Sequence, residues 1–162
     1  MLNESHEKTL AALVDISQRA GLAILEWYDG DMGITRKADD SPLTRADLAS
    51  HELIAAELAR LWPEIPVLSE ESADIPWETR RTWSKYWLVD PLDGTKEFIN
   101  RNGEFTVNIA LISNHRAVMG VVHVPVRNIS YFGASDAGAW RQQASSPAQA
   151  IRVRQPAAEP AV

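Results

Sequence analysis

The hydrophobic period of the chain changes near Pro63, and this change most strongly limits the fold. Before it, apolar residues recur at three- and four-residue steps over residues 10–28 and 48–62, the pattern of two amphipathic helices. After it, apolar and polar residues alternate over residues 105–111, which is typical of a half-buried strand. The sequence therefore predicts an α+β fold with two N-terminal helices packed on a mostly antiparallel sheet.

Shorter patterns predict the remaining elements. Apolar runs bounded by turn residues predict strands at residues 65–68, 86–89, 118–124, 129–132 and 138–140, with at most one more at 151–153. The polar segment 31–43 between the two helices predicts a loop or a short hairpin. We expect Gly30 to end the first helix as a left-handed cap, and Pro63 to end the second.

The composition excludes several classes of protein. Lys and Arg total 16 against 22 Asp and Glu, and the net charge of −6 argues against general binding to nucleic-acid backbone. The chain has no cysteine, which excludes disulfides, thiolate metal sites and a cysteine nucleophile. No apolar run approaches the ~20 residues of a membrane helix, and residues 1–6 do not resemble a signal peptide. These features predict a cytoplasmic domain over residues 1–153, with a tail or linker at 154–162.

Acidic residues are clustered, and the run Asp90-Pro91-Leu92-Asp93-Gly94-Thr95 is the most informative cluster. The strand predicted at 86–89 delivers Asp90 at its carboxyl end, Pro91 breaks the ladder, and Asp93 returns close to Asp90. Two carboxylates with a backbone carbonyl between them make an oxygen-rich cage that suits Mg²⁺. We expect Thr95 to cap a following helix, where free amides suit a phosphate.

Glu70 adds a third carboxylate to this region. It follows the strand predicted at 65–68, so it would face Asp90 and Asp93 if that strand neighbours the one at 86–89. Three carboxylates this close repel one another strongly unless a cation lies among them. The pattern therefore favours a metal site, provided that the two strands are neighbours.

Each acidic cluster also has a purely structural interpretation, which the sequence leaves open. Asp and Gly are common turn residues, and Glu70 with Glu71 fits a solvated loop. Another cluster comprises Asp39, Asp40 and Asp47. Residues 44–47 have the form of a helix capping box with Asp in place of Glu. This interpretation is compatible with a supporting role for Asp47 in a site. His51 is predicted to be a packed histidine.

Four blocks in the same order resemble a known family. Residues 87–95, WLVDPLDGT, resemble the signature of the inositol monophosphatase superfamily, the lithium-sensitive, Mg²⁺-dependent phosphomonoesterases. The longer run 90–111 is closer still to the CysQ type of that superfamily, the 3′(2′),5′-bisphosphate nucleotidases, and residues 37–47 and 67–71 are similar to that type too. The resemblance covers almost the whole chain up to about Val153.

The resemblance implies specific roles. The Mg²⁺ ligands, for two or more ions, would be Glu70, Asp90, the carbonyl of Leu92, and Asp93. The groups that orient and help deprotonate the attacking water would be Asp47 and Thr95, with Glu70 shared between metal and water. The substrate phosphate would contact Glu70, Leu92, Asp93, Gly94 and Thr95. The implied reaction removes the 3′-phosphate of adenosine 3′,5′-bisphosphate to give AMP, in sulfate assimilation and nucleotide recycling.

The resemblance also carries implications for partners. Superfamily members continue into a second α/β domain that supplies a further Asp ligand, so the chain would be the N-terminal part of such an enzyme. We then expect an exposed apolar face through which the chain self-associates. The expected ligand is a small phosphorylated nucleotide and not a nucleic-acid polymer. Family members associate peripherally with the inner membrane, which implies the cytoplasm or the cytoplasmic face of that membrane.

Two other functions stay open. An inositol monophosphatase acting on a sugar phosphate is the nearer one, although residues 96–98 and 102–105 favour the bisphosphate nucleotidase. A catalytically incomplete chain that only binds metal or a partner is the other. A haloacid-dehalogenase-type phosphatase is excluded, because Pro91 stands where its Asp-x-Asp-Gly-Thr motif needs the nucleophile.

Overall fold

The computed structural model describes residues 4–37, 42–72 and 75–154, and its elements confirm the predicted α+β class. The helices are α1 (Glu4–Leu25), α2 (Arg45–Leu61), α3 (Trp77–Arg80) and α4 (Thr95–Ile99), with a 3₁₀ turn at Pro125–Arg127. The strands are β1 (Thr35–Arg36), β2 (Pro42–Leu43), β3 (Val67–Ser69), β4 (Lys85–Asp93), β5 (Thr106–Ser113), β6 (Arg116–Val124), β7 (Ile129–Ala134), β8 (Gly138–Gln143) and β9 (Gln149–Ile151).

Strands β3 to β9 form one seven-stranded sheet in chain order, while β1 and β2 form a separate hairpin. The pairs from β4 to β9 are all antiparallel, as expected for strands joined by short turns. The pair β3–β4 is parallel. This parallel pair brings the carboxyl ends of both strands to the same edge of the sheet, where Glu70, Asp90 and Asp93 lie.

Helices α1 and α2 cover one face of the sheet and make the core with it. Leu13 of α1 and Leu58 of α2 are completely buried, as is Trp87 of β4. The alternation in β5 places Val107 and Ile109 in the same core. Because the two-residue period points every second side chain at the helices, one face of β5 is apolar and buried.

Helices α1 and α2 leave the opposite face of the sheet uncovered, and we call it the open face. It presents Leu88, Val122, Tyr131 and Ile151, whose exposed fractions lie between 37% and 43%. A groove of about 900 Å³ runs over this face, and Glu70 lies among the residues that line it. The open face is therefore an apolar surface that adjoins the acidic edge.

Several boundaries differ from the prediction, among them the end of α1 and the position of the last strand. Helix α1 ends at Leu25, and its last turn tightens through hydrogen bonds such as that from the Trp27 amide to the Ile24 carbonyl. Gly30 is therefore not its cap, and its backbone lies outside the left-handed region. The final strand lies at 149–151, a little before the predicted 151–153.

Some predictions concern residues outside the described ranges. Asp39, Asp40 and residues 155–162 belong to this group, so the predicted tail or linker stays a prediction. Within the described ranges, no helix combines the length and the apolar character needed to cross a bilayer.

Candidate active site

Glu70 and Asp90 lie side by side at the shared carboxyl edge of β3 and β4. Ser69 is in register with Val89, and the Glu70 amide donates a hydrogen bond to the Val89 carbonyl at 3.0 Å. Burial, together with the negative charges of Glu70 and Asp93, raises the pKa of Asp90 to about 7. The parallel pairing thus brings together carboxylates that are about twenty residues apart in the chain.

A bulge in β4 presents the second carboxylate of the motif. Asp90 is in register with Asn108, but the next paired residue is Asp93, so the ladder is interrupted at Pro91 and resumes. The ladder breaks at Pro91 as predicted, but the predicted strand end at Val89 is wrong, because β4 resumes and continues to Asp93. The Ser50 hydroxyl donates to the Pro91 carbonyl at 2.7 Å, and the Asn108 side-chain amide donates to Asp93 Oδ2 at 3.2 Å.

Asp47 takes part in both the helix cap and the site. At the start of α2, the Thr44 amide donates to Asp47 Oδ2 at 2.7 Å and the Asp47 amide donates to Thr44 Oγ1 at 3.4 Å, so the predicted capping box is confirmed. The other oxygen, Asp47 Oδ1, accepts from the Thr95 hydroxyl at 3.2 Å. Burial raises the pKa of Asp47, while hydrogen bonds from Thr44 and Thr95 oppose that rise.

Thr95 does not cap the helix that follows it. Gly94 is the N-cap of α4 at φ +95°, and Thr95 is the first helical residue. A Cβ at Gly94 would lie 3.0 Å from the Glu104 carbonyl oxygen, so this position favours glycine by both backbone conformation and space. The Thr95 hydroxyl is directed to Asp47, and also lies 3.4 Å from the Leu92 carbonyl. The prediction of a Thr95 cap is therefore wrong, and the hydroxyl faces Asp47 instead.

Lys37 is a cationic group in contact with Glu70 and Glu71. Its ammonium group donates to Glu70 Oε1 at 2.8 Å and to Glu71 Oε1 at 2.6 Å. Partial burial would lower the pKa of Lys37, but the hydrogen bonds to the two glutamates outweigh it and the pKa is raised. Burial in turn raises the pKa of Glu71, which the Lys37 contact opposes.

Three residues to which the sequence assigned no role hold this site together. They are Lys37, Ser50 and Asn108. The sequence contains an indication for Ser50, because this residue lies one helical turn after Asp47 on the same face of α2. The sequence contains no such indication for Asn108, since only the β4–β5 pairing places it opposite Asp90. His51 contacts Ser69 Oγ at 2.9 Å, as expected of a packed histidine.

The donor set fits a hard divalent cation. Asp90 Oδ1 is buried and has no hydrogen-bond partner, which is costly for a carboxylate unless a cation satisfies it. Carboxylate and carbonyl oxygens are the ligands that Mg²⁺ prefers. Among the described residues, no three His, Asp or Glu side chains converge closely enough to form a finished metal cage. The edge therefore offers suitable donors that a bound ion would draw together.

Comparison with known proteins confirms the resemblance. Residues 5–160 match the inositol monophosphatase family, and the chain belongs to this family. The 3′(2′),5′-bisphosphate nucleotidase CysQ of Escherichia coli K12 is 51% identical over 148 residues, covering 90% of this chain and 58% of the relative. The chain thus spans little more than half the length of this relative.

Solved structures agree. The crystal structure of CysQ from Bacteroides thetaiotaomicron superposes with a TM-score of 0.73 at 46% identity, covering 87% of this chain and 51% of the other. The extragenic suppressor protein suhB of Bartonella henselae gives a TM-score of 0.75 at 27% identity, over 85% and 53% of the two chains. The fold described above is that of inositol monophosphatase-like proteins.

Proposed function

We propose that the chain carries the metal- and phosphate-binding part of a Mg²⁺-dependent phosphomonoesterase, which converts adenosine 3′,5′-bisphosphate to AMP by hydrolysing the 3′-phosphate. The observation that carries the proposal is the gathering of Glu70, Asp90 and Asp93 at one sheet edge, beside the hydrogen-bonded pair of Asp47 and Thr95. The names of the similar CysQ proteins support the choice of substrate.

Four groups would hold the metal, and they are Glu70, Asp90, the carbonyl of Leu92, and Asp93. When bound there, Mg²⁺ supplies positive charge that stabilises the phosphoryl oxygens and makes nearby water more acidic. Asp90 contributes most to this interpretation, because its Oδ1 is buried without a partner. The substrate phosphate would lie against Leu92, Asp93, Gly94 and Thr95, with Glu70 facing both the metal and the attacking water.

Asp47 and Thr95 would activate the attacking water. The Thr95 hydroxyl donates a hydrogen bond to Asp47 Oδ1, so its oxygen lone pairs are free to accept a hydrogen bond from water. Burial raises the pKa of Asp47, which makes this carboxylate a better proton acceptor than an exposed one. The capping box holds Asp47 Oδ2, so the carboxylate is oriented before the substrate arrives.

Cellular context and assembly complete the proposal. We infer that the reaction belongs to sulfate assimilation and nucleotide recycling, in the cytoplasm or at the cytoplasmic face of the inner membrane. We also infer that the open face mediates self-association, because Leu88, Val122, Tyr131 and Ile151 present a contiguous apolar surface.

The test is phosphate release from adenosine 3′,5′-bisphosphate by the purified 162-residue chain. We expect release with Mg²⁺, none with EDTA, and a loss of about 100-fold or more in Asp93→Asn, because that variant removes a metal-binding charge. Asp15→Asn is the matched control, since Asp15 is an exposed carboxylate of α1 that pairs with Arg19. This control should keep the original rate.

Three results would change the proposal. Release that is indifferent to EDTA and to Asp93→Asn would exclude the metal mechanism. Faster release from inositol phosphate than from the nucleotide would assign the chain to the sugar-phosphate alternative. Mg²⁺ binding without any release would leave a metal-binding chain that is catalytically incomplete.

A further inference from the structure

Lys37 contacts two carboxylates that differ sharply in exposure. Its ammonium group lies 2.8 Å from Glu70 Oε1 and 2.6 Å from Glu71 Oε1, both within the range of charge-assisted hydrogen bonds. The side chain of Glu71 is 7% exposed, whereas that of Glu70 is 53% exposed. Lys37 itself is 20% exposed. The ammonium group therefore joins one buried and one open partner.

The two carboxylates should differ in how readily each one releases the Lys37 ammonium group. A buried carboxylate that loses its partner is left as an uncompensated charge, so Glu71 holds Lys37 firmly. The Glu70 carboxylate is exposed and water solvates it well, so Glu70 can release Lys37 at little cost. In this structure the Lys37 ammonium group therefore occupies Glu70 Oε1 through a contact that can be exchanged.

We propose that Lys37 is a built-in counter-cation, which occupies Glu70 when Mg²⁺ is absent and competes with Mg²⁺ for that carboxylate. The proposal rests on the metal-binding role proposed above for Glu70. When Mg²⁺ binds, Glu70 turns to the metal and the ammonium group stays on Glu71. Lys37 therefore sets the Mg²⁺ concentration at which the site fills, and below that concentration it offsets part of the negative charge of Glu70 and Glu71.

The experiment is titration calorimetry of the metal-free 162-residue chain with Mg²⁺. Lys37→Gln should bind Mg²⁺ about three- to tenfold more tightly, because the competing charge is gone. Lys37→Arg keeps that charge and should stay within about twofold of the original chain. Lys85→Gln removes a charge at the other end of β4 and controls for net charge, because Lys85 is paired with Ser113, far along the strand from Asp90.

Thermal unfolding gives an independent readout. Without Mg²⁺, Lys37→Gln should melt at a lower temperature than the original chain, since Glu70 and Glu71 lose their counter-cation. Added Mg²⁺ should raise the melting temperature of Lys37→Gln more than that of the original chain, because tighter binding stabilises the folded state more. Should Lys37→Gln fail to fold without metal, Lys37→Ala tests the same prediction.

The outcomes separate this inference from the proposed function. Equal or weaker Mg²⁺ affinity in Lys37→Gln, with clear binding by the original chain, overturns the competition and leaves the metal site standing. No Mg²⁺ binding by either chain overturns both the site and the competition. Mg²⁺ binding by Lys37→Gln, without binding by the original chain, would support the competition most strongly.

Discussion

A single carboxylate can serve the fold and the chemistry when its two oxygens have different partners. Asp47 Oδ2 completes the capping box of α2 with Thr44, while Oδ1 accepts the Thr95 hydroxyl. The capping-box interpretation and the proposed catalytic role are therefore compatible. The link between Thr95 and Asp47 is a hydrogen bond from the Thr95 hydroxyl, and that hydroxyl can be removed with little change in shape.

Thr95→Val is the corresponding prediction. Valine has nearly the shape of threonine but no hydroxyl, so the link to Asp47 is lost while the packing is kept. We expect turnover to fall about 100-fold or more, with Mg²⁺ affinity within about twofold of the original. Phosphate release and calorimetry measure the two quantities. Thr82→Val, which removes an exposed hydroxyl bonded to the Thr79 carbonyl, is the control. If Thr95→Val lost Mg²⁺ binding and not turnover, the result would contradict the role assigned to Thr95.

His123 is a buried titratable group away from the proposed site. Its side chain is 2% exposed, and its Nδ1 lies 2.9 Å from Ser130 Oγ. Burial lowers the pKa of His123 from its ordinary 6.5 to about 4. The folded state therefore holds this histidine neutral over a range in which the unfolded chain protonates it.

This difference predicts acid sensitivity with a defined sign. The contribution of His123 to the free energy of unfolding is fully present above pH 6.5, and it is lost as the pH falls from 6.5 to about 4, because the unfolded state binds the extra proton. The free energy of unfolding, measured with urea, should be smaller at pH 4.5 than at pH 7. This decrease should be larger by about 2 kcal/mol in the original chain than in His123→Gln. An equal loss in both chains would exclude His123 as the cause.

At the scale of elements, α1 lies close against β6 because one of its residues has no side chain. A Cβ at Gly21 would lie 2.8 Å from Cδ2 and 2.9 Å from Nε2 of His123. Neither that ring nor Pro125, whose Cγ would be 3.2 Å away, can move freely in the packed core. The close approach of this helix to the sheet thus depends on Gly21; the helical period places this residue on the apolar side of α1 but does not show how close the contact is.

Gly21→Ala should therefore destabilise the fold, by about 1–3 kcal/mol in the free energy of unfolding, because the added methyl group overpacks the contact. Gly30→Ala is the matched control, since a Cβ at Gly30 meets nothing within 4 Å and its φ is not in the left-handed region. That control should be neutral or slightly stabilising. Urea unfolding measures both variants, and a neutral Gly21→Ala would show that α1 can shift on the sheet.

At the scale of the whole molecule, the two faces of the sheet have different surroundings. One face is buried under α1 and α2, and the open face leaves Leu88, Val122 and Tyr131 in contact with solvent. An exposed apolar surface of this kind favours association with another apolar surface. Because the groove on this face reaches Glu70, an assembly through it would lie against the proposed site.

The corresponding prediction concerns the state of association. Sedimentation of the original chain should depend on concentration, and Val122→Lys should remain monomeric over the same range, because it places a charge in the centre of the open face. Leu22→Lys is the control, since Leu22 is exposed on α1, which packs on the other face of the sheet. Concentration-independent sedimentation of the original chain would rule out self-association.

Hydrophobic period and local motif determined much of this protein from the sequence by itself. The two helices, the succession of strands along the chain and the capping box at Thr44 each depend on residues that are neighbours in the chain. The cluster from Asp90 to Thr95 is local in the same sense. Short-range features of this kind are set by backbone sterics and side-chain spacing, which a sequence displays directly.

Only the tertiary structure decided which of these residues meet. Thr95 was expected to cap α4, but packing directs its hydroxyl to Asp47, 48 residues away. Lys37 reaches Glu70 across 33 residues, and the Asn108 contact with Asp93 follows from the strand register. Such contacts depend on how helices and strands pack and on which residues face each other across the sheet. These are properties of the assembled core, and no local spacing in the chain encodes them.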